Sequence, residues 1–103
     1  MTPRCLLVFL CLAAAPAFAS DDPVEALKKG QPGEVRQLID RLVGCAHFGG
    51  EEGYDAERRR EIDSAMKELR CDRLDRDEAA ARKRYAKQPA TIRALQQASA
   101  LSQ

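Results

Sequence analysis

The chain is poor in several things at once. It has no tryptophan, one histidine, three phenylalanines and two tyrosines. No apolar run approaches the roughly 20 residues a bilayer span needs, which excludes a conventional transmembrane anchor. No glycine or proline interrupts the chain between Gly53 and Pro89, so that long stretch is free to be helical. Neither sign of charge dominates: 17 Lys and Arg stand against 16 Asp and Glu. That balance argues against nucleic acid or an anionic membrane as the main partner. No internal repeat or low-complexity tract is present.

The first residues have the three parts of a secretory signal. Arg4 is the basic element, Cys5 to Ala15 the short apolar core, and Ala17-Phe18-Ala19 the small-residue ending. Cys11 follows Val8-Phe9-Leu10 rather than a small residue, so it does not read as a lipidation site. The sequence therefore predicts a signal peptide over 1–19 and a single helical domain over 20–103. Removal of Arg4 leaves acids and bases equal in number. A short chain with one remaining cysteine pair suits the periplasm, and Cys45 and Cys71 are expected to form its disulfide. Free thiols or an intermolecular bond are the alternative.

The pattern along the chain predicts an all-α fold of three to four helices. Asp22 caps a short helix with Pro23 in its first position, and Gly30 stops it. Val35, Leu38, Ile39, Leu42 and Val43 fall at the spacing of one buried helix face from Glu34 to Val43, with Gly44 ending the element. Cys45 to Tyr54 is predicted as an ordered loop and Asp55 as the cap of a long helical region. Within it Ile62, Ala65, Met66 and Leu69 form one stripe, and Leu74, Ala81 and Tyr85 another, out of phase by one residue. A break near Cys71 with Asp72 as a new cap explains the slip, and so does a single bent helix. A last helix runs from Ala90 to Ala98 with Ile92 and Leu95 inward. Residues 99–103 are expected to be disordered. Arg58, Arg59 and Arg60 are spread around the axis by helical spacing and read as a solvated face.

If the bridge forms, Cys71 lies roughly 24 Å along the helix that starts at Asp55, while the two cysteine Cα atoms must approach within about 7 Å. The segment after Cys45 must then run lengthwise beside that helix, with His47 and Phe48 near Leu69 and Met66. The densest chemistry lies in this segment: His47, Phe48, Glu51, Glu52 and Tyr54 are the candidate binding residues. With one histidine and no spare thiolate, a metal site is thin, and no metal ligands or cofactor are assigned. No Ser or Thr stands near His47, and no catalytic residue is assigned. The bland alternative is a purely structural loop.

The run Cys45-x-His47-Phe48-x-Gly50-Glu51-x-x-Tyr54-Asp55, followed by Cys71-Asp72 and Arg84-Tyr85, resembles a group of uncharacterised small exported proteobacterial proteins over about Leu38 to Leu95. A weaker similarity, carried by Cys71 and the acidic-rich helix ending near Tyr85, is to lysozyme inhibitors of the LprI type. This chain carries one mature cysteine pair and lacks that family's fuller motif. The motif carries no activity with it. The signal, the polar and aromatic segment held by the bridge and the lack of catalytic groupings predict an exported, non-enzymatic domain with an inhibitor-like or protein-binding role toward another envelope protein. The rivals are a metal-binding envelope protein using His47 and nearby carboxylates, and a structural or stress factor of the envelope.

Overall fold

The computed structural model describes residues 22–103, and the expected signal peptide over 1–19 lies outside them. The described chain forms five α-helices and no strand: α1 (Pro23–Lys28), α2 (Gly33–Gly49), α3 (Ala56–Glu68), α4 (Leu74–Arg84) and α5 (Pro89–Leu101), with a 3-10 turn at Cys71–Arg73 before α4. Among the described residues no helix is long and apolar enough to cross a membrane. The class is the all-α one predicted, with five helices rather than three or four.

α1 begins as its sequence requires. The Asp22 carboxylate accepts the Val24 N–H at 2.9 Å, and Pro23 occupies the first turn, where its missing N–H costs nothing. Gly30, at φ +73°, turns the chain in the left-handed region. A six-residue helix does not persist alone. Val24 and Leu27 pack against the core, and Lys28 donates to Asp40 on α2 at 2.9 Å.

α2 is the central element and packs against the other four helices. Its stripe Val35, Leu38, Ile39 and Leu42 enters the core with Ala81 of α4 and Ala94, Leu95 and Ala98 of α5. Val35, Ile39 and Leu95 are completely buried, a contribution of about 2 kcal/mol each. The predicted stop at Gly44 is overturned, and the predicted loop from Cys45 to Tyr54 begins only after Gly49. Gly44 instead lies inside the helix, where a Cβ would stand 2.8 Å from Leu69 Cδ1. The glycine serves the close approach of α3 rather than a helix end.

α3 starts at the predicted cap: Asp55 Oδ1 accepts the Arg58 N–H at 2.7 Å. The phase slip resolves into a true break. Arg70 sits at φ 52°, ψ 49°, left-handed for a residue with a Cβ, which costs about 1–2 kcal/mol. Asp72 is not the new cap. It lies within the 3-10 turn, and Arg73 precedes α4 without a side-chain cap bond. Asp75 and Asp77 in the first turn of α4 face the exposed amides electrostatically.

α5 is longer than the sequence predicts. Residues 99–101 continue the helix, so the expected disordered tail is corrected: Ala98 is fully buried and holds the last turn down, and the Ser102 hydroxyl bonds its carbonyl at 2.7 Å. Leu95 points inward as predicted, while Ile92 is only half-buried. The other buried members of that face are Thr91, Ala94 and Ala98, and Thr91 Oγ1 donates to Gln31 Oε1 at 2.8 Å.

Candidate functional site

The disulfide joins Cys45 in the last third of α2 to Cys71 at the α3–α4 break, with Cα atoms 5.6 Å apart. It closes an antiparallel pair in which Gly44 faces Leu69 and Gly49 faces Met66. The predicted lengthwise course beside α3 is therefore present, but up to Gly49 it is helix rather than loop.

Because α2 continues, His47 and Phe48 stand on its final turn, which closes with the Gly50 N–H on the Ala46 carbonyl at 3.0 Å and the Glu51 N–H on the Phe48 carbonyl at 3.3 Å. The His47 and Phe48 rings meet edge to face with centroids 5.0 Å apart. His47 keeps 65% of its side chain exposed, and its Nε2 lies 3.9 Å from the Glu51 carboxylate. Glu51 is held more tightly from the other side. Arg58 Nη2 donates to both Glu51 oxygens at 2.6 Å, while Arg58 Nη1 donates to Glu61 at 2.8 Å. The Arg58 hydrogen bonds hold the Glu51 carboxyl below the ordinary glutamate range, and its two carboxylate partners push the Arg58 guanidinium upward. Of the predicted arginine triplet, Arg59 and Arg60 are solvated, whereas Arg58 ties the loop to α3.

Of the five candidate residues, His47, Phe48 and Glu51 come together. Glu52 and Tyr54 do not join them: Glu52 is exposed and Tyr54 presents 84% of its surface to solvent. Among the described residues no three His, Cys, Asp or Glu side chains converge on a point that could hold a metal ion. His47 and Glu51 give at most a pair, and Glu51 is already committed to Arg58.

Two polar constellations lie outside the predicted set. Arg41, 9% exposed on the core side of α2, donates through Nε to the Leu69 carbonyl at 2.7 Å and through Nη2 to the Arg70 carbonyl at 3.0 Å. Nη2 also lies 2.9 Å from Asp77 of α4, whose carboxyl it holds below the ordinary aspartate range. Farther along, Glu34 of α2 accepts from Arg84 and, at 3.0 Å, from the Tyr85 hydroxyl. The Arg84 bond leads in lowering Glu34, and the Glu34 bond leads in raising Tyr85. A signal for Arg41 exists in the sequence: it is three residues after Leu38 and four before Cys45, on the edge of an apolar face. Its partners, 28 and more residues away, carry none.

No family model, curated protein or solved structure matches the chain.

Proposed function

We propose that this is an exported, non-enzymatic periplasmic module that binds another envelope protein through the corner where α2 ends and α3 begins. The observation that carries the reading is Tyr54. In a chain so short of aromatic side chains, this one lies 84% exposed at the corner. Tyrosine and arginine are the side chains most often found anchoring protein interfaces, because each combines contact area with a polar tip.

The corner is also preorganised. Arg58 clamps Glu51, Asp55 caps α3, and the disulfide joins α2 to the far end of α3. A rigid surface loses less entropy on docking than a flexible loop, which favours binding. His47 and Phe48 stand on the last turn of α2, which leads into this corner. The resemblance to LprI-type inhibitors makes lysozyme the first partner to try.

The experiment has two arms. Lysozyme's hydrolysis of cell-wall suspensions is followed with the oxidised mature protein and with its Tyr54→Ala variant. A photo-crosslinking residue is placed at position 54 and, as a control, at Lys29 near the other end of the molecule, in exporting cells. The expected result is one discrete adduct from position 54, absent from position 29 and lost with Glu51→Ala, whether or not lysozyme is inhibited. Equal or absent adducts at both positions reject the corner as a recognition surface and leave a structural envelope factor.

A further inference from the structure

Between α1 and α5 lies a groove of about 430 Å3, lined by Pro23, Ala26, Leu27, Gln97, Ala100 and Leu101. All of these but Gln97 are apolar. Leu101 is 51% exposed, one of two large apolar side chains left so open among the described residues. The other is Tyr54, whose hydroxyl gains from facing water, whereas Leu101 has no polar group to solvate. The core makes no use of Leu101 either: the buried residues of α5 are Thr91, Ala94, Leu95 and Ala98.

Charge sets this face apart from the rest of the molecule. Charged residues make up 32% of the chain, yet Ala94 to Gln103 contains none. Arg93 is the one charged residue of α5, and it is not part of the groove lining. On α1, Glu25 and Lys28 pair with each other, and Lys28 also with Asp40, leaving the groove itself neutral. The grooves along α3 and α4, by contrast, are lined by both signs of charge.

That neutrality selects the occupant. A two-fold contact sets each side chain near the axis against its own copy, so a charge there meets a like charge. A face without charge escapes that repulsion and matches itself. We propose that the α1–α5 face pairs with a second copy of this chain about a two-fold axis, Leu101 of each copy seated against the groove of the other. The 13 residues of α5 extend about 20 Å and the six of α1 about 9 Å; at about 10 Å wide, they offer about 300 Å2 per copy. That is less than half the roughly 800 Å2 per partner of a standard interface, so the dimer is weak and reversible. The face shares no residue with the corner proposed for recognition, and its test does not depend on that reading.

The test is sedimentation equilibrium of the oxidised mature protein at rising concentration. A monomer–dimer equilibrium is expected, with Kd on the order of 0.1 mM for so small a face. Amide shifts that change with concentration should be confined to α1 and the last turns of α5. Leu101→Lys should weaken association by about tenfold or more through like charges at the axis. Its Tm should stay level, because Leu101 is half-exposed in the monomer. Leu101→Glu should act in the same way, and mixing the two variants should restore association, since opposite charges then meet. A monomer at every concentration, a dimer that Leu101→Lys leaves intact, or no restoration on mixing would overturn the proposal.

Discussion

From Val35 to Leu42 the central helix loses its side chains into an apolar cluster shared with α1, α4 and α5; from Gly44 to Gly49 it meets α3, which has a single buried side chain, Ile62. The first region is held by area removed from water, spread over many contacts. In the second, α3 is strongly charged, and most of what it could bury is too polar to gain from burial. There the chain relies on discrete pins: the Cys45–Cys71 bond, the three acceptors of Arg41, and the Arg58–Glu51 clamp. Distributed packing tolerates the loss of one contact gradually, whereas pins fail individually. The corner proposed for recognition lies in the pinned region, where polar groups stay accessible because the core does not need them.

The largest effect should follow an attack on the apolar region. Leu95→Ala removes a fully buried side chain at the centre of the cluster and should cost about 3–4 kcal/mol. For a domain of this size, that lowers Tm by more than about 10 °C. Thermal unfolding followed by circular dichroism checks it, and a change under a third of that would break the contrast.

Replacing both cysteines with alanine opens a loop of 26 residues and should cost about 3 kcal/mol. Hydrogen exchange should then show α3 amides opening first, while α2 from Val35 to Leu42 and α5 stay protected. Uniform loss of protection would mean the two regions are one cooperative unit.

Arg41→Ala leaves the Leu69 and Arg70 carbonyls without their donor and should cost about 2 kcal/mol. Because Arg41 and the disulfide both hold the break between α3 and α4, combining both changes should cost less than their sum. Strict additivity in denaturant melts would show that they act on separate features.

The smallest effect is on pH dependence. Asp77, Glu34 and Glu51 are all held below the ordinary carboxylate range by their hydrogen-bonded partners, Arg41, Arg84 and Arg58 respectively, with Tyr85 adding to Glu34. The unfolded chain therefore takes up protons first as pH falls. The stability these groups confer is complete above the ordinary carboxylate range and is lost as pH drops through their lower folded values. Tm measured from about pH 7 down to about pH 3 should decline across that range, and Asp77→Asn should flatten the decline. An unchanged slope would remove Asp77 from the set of pins.

Helix periodicity, the caps at Asp22 and Asp55 and the stripe on α2 are legible because each is a local pattern with a local cause. The Gly44 stop was misread for an equally physical reason. A glycine after an apolar stripe has the same appearance whether it ends a helix or lets a neighbour approach, and only the position of Leu69 separates the two. That error turned His47 and Phe48 into loop residues when they belong to the last turn of α2. The last turn beyond Ala98 carries no local signal, because what holds it is Ala98 buried in the core formed by distant helices. In the candidate site, Glu51 was recognised as chemically dense, but its clamp by Arg58 was hidden in a triplet that read as solvated face.

By itself the sequence determined the helical class, where α1 and α3 start and which face of α2 is buried, since these follow from hydrogen-bond geometry and side-chain spacing over short distances; the pairing of Cys45 with Cys71 followed from setting aside the two cysteines of the expected signal peptide. Tertiary structure alone decided the rest. It set the length of α2, the left-handed turn at Arg70 and the acceptors of buried Arg41. Each of these depends on groups brought together from distant parts of the chain, and a buried donor is satisfied by whatever acceptor the packing delivers.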